Sequence, residues 1–153
     1  YKFKFPEKGL VVSLHGCGNL TDRVLDIAVE SGSDVICVPC CFGKIKRKSD
    51  QQGYYFLPRS PTLKPNEETF RGIVLKAASK LEGSVREGKR TIQNVMLDAY
   101  RMLVNLDRIF YLQQNSYKCE IAQILDQCTM ISDGTSHANT SSKYAITGKL
   151  AIE

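Results

Sequence analysis

Two short clusters carry the residue types from which a reaction centre could be built: His15-Gly16-Cys17-Gly18 and Pro39-Cys40-Cys41-Phe42-Gly43. An imidazole titrates near neutrality and can take a proton from a hydroxyl or a protonated nitrogen. Thiols offer sulfur for nucleophilic or metal chemistry. A phenylalanine ring offers a face to a planar base or to adenine, and glycine lets backbone come close to a ligand. Plainer readings stand beside these. His15 at a strand end can hydrogen-bond to backbone, Phe42 can be an apolar wall, and Asp22 can cap its own helix rather than orient a ligand. His15, Cys17, Cys40 and Cys41 are zinc-ligand types, but adjacent cysteines rarely share one tetrahedral ion and no Cys-x-x-Cys spacing occurs, so no metal site is expected. A redox couple between Cys17 and Cys40 or Cys41 finds little support, because sequence does not fix the Cα separation a disulfide needs.

The surrounding pattern says how these clusters are held. Gly9-Leu10-Val11-Val12-Ser13-Leu14 is a short, continuously apolar run of the kind found in parallel strands buried on both faces. A helix follows, with Asn19 or Thr21 as cap, Asp22 in its first turn, Val24, Leu25, Ile27, Ala28 and Val29 on its apolar face, and Gly32 as the left-handed residue that ends it. Asp34-Val35-Ile36-Cys37-Val38 makes the next strand, stopped by Pro39. Strand, helix and strand form one βαβ unit over 9–41, with a right-handed crossover. Its two strands then point the same way, so both clusters emerge at one sheet edge, the carboxyl edge where open α/β sheets bind ligands.

From 42 to 66 the chain is irregular, with Pro58, Pro61 and Pro65. Helical composition occupies 67–115, from Glu67 to about Leu81 and again from about Thr91 to Gln114, with a break at Gly83 and Gly88. In the second helix, Ile92, Val95, Met96, Ala99, Leu103, Leu106, Ile109 and Phe110 recur at steps of three and four and are read as its buried face. A terminal strand pair over 117–152 follows: Tyr117 to Leu125, with Tyr117, Cys119 and Ile121 on one face, and Tyr144 to Ile152, in which Gly148 weakens the strand or marks a bulge. A polar stretch from Thr129 to Ser142 joins them, so the pair is antiparallel. The fold class is α/β: a parallel sheet ending in an antiparallel hairpin.

Composition bounds the function. The chain has 153 residues, 42% of them apolar and 24% charged, which suits one globular domain. No apolar run approaches a membrane span and no leader pattern is present, so no membrane partner is expected. Six cysteines without signs of secretion read as reduced thiols in a cytoplasmic protein. The net charge of +5 is mild, but Lys44, Lys46, Arg47 and Lys48 crowd one loop. That loop can meet nucleic-acid phosphates or be merely solvated, and no aromatic stacking platform accompanies it.

Leu14 to Asp22, taken with Val38-Pro39-Cys40-Cys41-Phe42-Gly43-Lys44-Ile45, resembles the methyltransferase domain of the glutathione-S-transferase-C-terminal-domain-containing proteins, and more distantly the tRNA 2'-O-methyltransferases of the acceptor stem. Val104-Asn105-Leu106-Asp107-Arg108 is similar to that family's late helix, whereas Met130 to Ser142 departs from its pattern. The resemblance implies a Rossmann-like class I methyltransferase fold and S-adenosylmethionine as cofactor. It places His15, Gly16, Cys17 and Gly18 beside the methyl donor, with His15 as candidate base, and Pro39, Cys40, Cys41 and Phe42 on the acceptor side. It also implies that this chain is the C-terminal portion of the domain. The glycine-rich donor loop and the acidic residue after the second strand are not found here, so the N-terminal strands would lie upstream of Tyr1, in a remainder that partners this sheet. On that reading the isolated chain binds donor weakly or not at all, and the domain acts on RNA or another macromolecule. The alternative is a non-catalytic binding module with a degenerate methyltransferase fold.

Overall fold

The computed structural model describes residues 8–45, 58–75, 92–123 and 144–151. Lys46 to Lys48 of the basic loop, the glycines at 83 and 88, and the stretch from Thr129 to Ser142 lie outside the described residues.

Strand β1 (Leu10–Cys17), helix α1 (Leu20–Ser31) and strand β2 (Asp34–Cys40) form the expected parallel βαβ unit. Gly32 takes φ 62° and its N–H reaches back to the carbonyls of Ala28 and Val29, ending α1 as its sequence position predicts. Asn19 occupies the N-cap position but makes no side-chain capping bond. A 3-10 turn at Phe42–Lys44 follows β2. Beyond it come a second 3-10 turn at Lys64–Asn66, the three-residue helix α2 (Glu67–Thr69) running into a π-helical stretch at Phe70–Leu75, and the long helix α3 (Ile92–Gln114).

Strands β3 (Tyr117–Gln123) and β4 (Tyr144–Leu150) pair antiparallel, as expected from their loop connection. The last strand is the inner one: the order is β1-β2-β4-β3, with β4 antiparallel to both neighbours. Gly148 pairs in regular register with Val35 and Cys119, so it marks no bulge. A Cβ there would come within 3.0 Å of Val35 and 3.2 Å of Leu112 and the Tyr117 ring, which explains a glycine at the centre of the core.

Both strands of the βαβ unit run further than the apolar pattern predicts. β1 continues through His15-Gly16-Cys17, and β2 passes through Pro39 to Cys40. A register shift reconciles this. Ser13 pairs with Cys37, and pairing resumes with Gly16 opposite Pro39 and Cys17 opposite Cys40, so Leu14 and His15 together oppose Val38. His15 carries the irregularity, at φ 56°. The ladder from β2 to β4 spans only Val35 to Cys37, so Pro39 interrupts no bond on that side.

The core lies between one face of the sheet and helices α1 and α3, and is built from Val24, Leu25 and Ala28, Val35 and Cys37, Ile109 and Leu112, Tyr117 and Ile146. The Tyr117 hydroxyl donates to the carbonyls of Ala28 and Ser33, both at 2.8 Å, and locks β3 to the turn between α1 and β2. Among the described residues, nothing covers the β1 end of the opposite face. Leu10, Val12 and Leu14 are 57%, 56% and 72% exposed, and β1 has no outer neighbour among the described residues.

The buried face of α3 is not the apolar stripe. Ile92, Val95, Met96 and Leu103 are turned outward, Leu106 and Phe110 are half-buried, and of that stripe only Ile109 is fully packed. Leu97, Arg101, Val104, Asn105, Asp107, Arg108 and Leu112 face inward instead. This orientation holds because the polar members of the inward face are paired, and paired charges can be buried.

Candidate functional site

The two clusters meet. Cys17 and Cys40 are cross-strand partners, Gly16 faces Pro39, and the Gly18 N–H reaches the Cys40 carbonyl at 3.4 Å. Both turns therefore open side by side at the carboxyl rim of parallel strands. Within this rim His15 is exposed, Cys17 and Cys41 are half-buried, and Gly16, Gly18, Pro39, Cys40 and Phe42 are buried.

The glycines serve internal packing. A Cβ at Gly16 would lie 2.7 Å from the Thr21 hydroxyl, which donates to the Gly16 carbonyl at 2.6 Å. Gly18 has φ +57°, and a Cβ there would come within 2.7 Å of the Lys44 carbonyl oxygen. Space that the sequence assigns to a ligand is thus taken by Thr21 and by the turn after β2. Phe42 is 3% exposed, packed among Ile45, Phe70, Val74 and Val104, with the Arg101 and Arg108 guanidinium groups each 5.7 Å from its ring centre. In this arrangement its faces are covered and it forms a wall.

A buried ionic network holds the rim from beneath. Asp22 neither caps α1 nor faces the rim. Its carboxylate accepts two bonds from Arg108, from Nε and Nη2 at 3.0 Å each. Nη2 of Arg108 also donates to the Gly18 carbonyl at 3.2 Å, which ties α3 to the first turn. Burial works to lower the Arg108 pKa, and the Asp22 carboxylate more than offsets this and raises it, so the guanidinium stays charged. Asp107 accepts the backbone N–H groups of Arg59 and Ser60 at 2.8 and 2.9 Å, fixing the segment at 58–63. Burial pushes the Asp107 carboxyl up, opposed by those two bonds. Arg59 pairs with Asp26, lies 3.6 Å over the Tyr111 ring and donates to the Asp22 carbonyl at 3.0 Å. The Tyr111 hydroxyl donates to Asp26, and burial together with that carboxylate pushes its pKa up to about 12. The sequence alone assigned no role to Arg59, Asp107 or Arg108, although the last two lie in the late-helix motif. The available signal was the polar series Arg101, Asn105 and Arg108, spaced like an inward helical stripe.

At the surface of the rim the thiols of Cys17, Cys40 and Cys41 converge, with all three sulfur atoms within 4.8 Å of one another and Cys17 Sγ 3.0 Å from Cys40 Sγ. Burial, then the neighbouring Cys17 and Cys41 thiols, push the Cys40 thiol strongly up, and burial with the Cys17 thiol raises Cys41. By themselves Cys40 and Cys41 are protonated, weakly nucleophilic thiols near neutrality.

Residues 4–48 match the family model of a methyltransferase domain. The matched stretch covers β1, α1, β2 and the turn Phe42–Lys44, and so contains every residue of the rim. No curated protein and no solved structure matches the chain. No helix among the described residues is long and apolar enough to cross a membrane.

Methyltransferase domains generally use S-adenosylmethionine, and the rim fits that molecule only in part. Asp22, the carboxylate nearest in sequence to the first turn, is fully buried against Arg108, and the spaces beside Gly16 and Gly18 are filled by the protein's own atoms. The described residues do not form a set that grips the ribose and adenine of the donor. They can form one wall beside it.

Proposed function

We propose that the rim at residues 15–18 and 39–42 is one wall of the methyl-transfer cleft of an S-adenosylmethionine-dependent methyltransferase with a Rossmann-like class I fold. In this reading the groups that grip the donor come from outside the four described strands. The observation that carries the reading is that the family match coincides with the rim, while α2, α3, β3 and β4 lie beyond it. The strand order β1-β2-β4-β3, with β4 alone reversed, supports it, and so do the bare edge and apolar face of β1, where further strands and helices of the domain would pack.

The donor would supply an electrophilic methyl group. The protein's own contribution is placement, because in-line displacement needs donor and acceptor held in line. His15 is exposed near the end of β1, in a left-handed backbone conformation. In this reading it takes the proton of a hydroxyl acceptor. The motif resemblance to tRNA 2'-O-methyltransferases and the Lys44–Lys48 sequence favour RNA as that acceptor.

The test is transfer of labelled methyl from S-adenosylmethionine by the complete gene product to separate RNA and protein pools. Label in RNA, lowered roughly 10²-fold or more in His15→Ala, supports the reading. Transfer unchanged by His15→Ala removes the base. Absence of both donor binding and transfer in the complete gene product would establish the non-catalytic module instead.

A further inference from the structure

We propose that Cys17, Cys40 and Cys41 bind one zinc ion as three thiolates, leaving its fourth coordination position open at the carboxyl rim of β1 and β2. The sequence argues against this because neighbours in an extended strand point to opposite faces. Cys41 is not extended. It lies in the left-handed region at φ 47°, ψ 58°, which brings its sulfur to the same side as that of Cys40. For a non-glycine residue this conformation costs about 1–3 kcal/mol, a cost kept where the surroundings require it. His15, on the facing strand, holds a second left-handed backbone two residues before Cys17. Two irregularities in adjacent strands thus deliver three sulfurs to one point.

The distances suit the ion. Zinc–sulfur bonds of about 2.3 Å set ligand sulfurs about 3.8 Å apart in a tetrahedron. The three sulfurs lie within 4.8 Å of one another, and the closest pair, Cys17 and Cys40, is 3.0 Å apart. These separations bracket the ligand spacing. The frame is rigid: Cys17 and Cys40 are register partners, Gly18 is bonded to the Cys40 carbonyl, and Arg108 holds Gly18 from beneath. Cys40 is 4% exposed whereas Cys17 and Cys41 are half-buried, so an ion can reach the sulfurs from the rim without the core opening. Three protein ligands with one open position is the arrangement of zinc sites that admit an exogenous ligand, in contrast to closed structural sites. Cys37 and Cys119 are likewise not in a disulfide, but they face the core from β2 and β3 and are not part of the cluster.

The complete gene product, purified under reducing conditions without chelator after growth in zinc-supplemented medium, should carry about one zinc per chain. Zinc K-edge absorption should show three sulfurs at about 2.3 Å and one lighter atom. Cys17→Ser, Cys40→Ser and Cys41→Ser should each weaken zinc at least tenfold in competition with a chromophoric chelator, and Cys119→Ser should retain it. Because a serine variant can lose zinc by unfolding, the absorption measurement on the unmodified protein is decisive. Fewer than three sulfurs, or less than a tenth of an ion per chain, overturns the proposal. A protein lighter by two hydrogens with Cys17 joined to Cys40 overturns it in favour of a disulfide, for which cross-strand partners are also close enough.

Discussion

At the level of single residues, the rim depends on Arg108. Its two bonds to Asp22 and one to Gly18 mean that truncation leaves the buried carboxylate with Arg59, at 3.9 Å, as its cation and releases the first turn. Arg108→Ala should cost about 3–5 kcal/mol in denaturant unfolding, since removing one partner of a buried, hydrogen-bonded pair is strongly destabilising. Arg108→Lys should recover only part of this, because one ammonium cannot reproduce the two-pronged geometry. Gly18→Ala should cost about 1–3 kcal/mol, from a left-handed backbone and an overlap with the Lys44 carbonyl. Asp107 gives a pH signature. Its carboxyl is raised in the fold by burial, so the folded chain holds that proton more tightly than the unfolded chain. The contribution is fully present below the ordinary carboxyl pKa of about 4 and is lost as pH rises through the folded value. The stability of the unmodified protein relative to Asp107→Asn should therefore grow as pH falls from neutrality towards about 4. A difference that shrinks would show that the two backbone bonds outweigh burial.

At the level of elements, the βαβ unit and the span of α3 were legible, and the buried face of α3 was not. Short apolar runs flanked by glycine, and a helix closed by Gly32, are local signals, and they placed both turns at one rim correctly. The outward stripe of α3 arises from a long-range cause. Asp22 and Arg108 are 86 positions apart, and Asp107 serves backbone 47 and 48 positions away, so nothing in the helix's own hydropathy reveals that its buried face carries Asn105, Asp107 and Arg108 beside Leu97, Val104 and Leu112. For the same reason the role of Asp22 could not be read from its place in the first turn of α1. The thiol cluster was hidden differently: adjacency argues against shared ligation until a left-handed backbone at Cys41 removes the objection. The orientation of α3 is testable by contrast. Val95→Glu should change stability by no more than about 0.5 kcal/mol, whereas Leu112→Ala should cost about 2–5 kcal/mol. A heavy penalty at Val95 would restore the sequence-based face.

At the level of the whole molecule, a four-stranded sheet covered on one face by α1 and α3 leaves Leu10, Val12 and Leu14 exposed beside a strand edge that is unpaired among the described residues. Such an edge is a template for pairing with another chain. The isolated 153-residue chain should therefore self-associate in sedimentation velocity, and Val12→Lys should shift it towards monomer. In the complete gene product the same surface should be protected from solvent if it seats the rest of a methyltransferase domain. The shared cleft itself is tested most directly by ultraviolet cross-linking of methyl-labelled S-adenosylmethionine to the complete gene product, followed by peptide mapping. The account predicts label in peptides containing residues 14–18 or 38–42. Label confined to other peptides, in a protein that still transfers methyl groups, would contradict it.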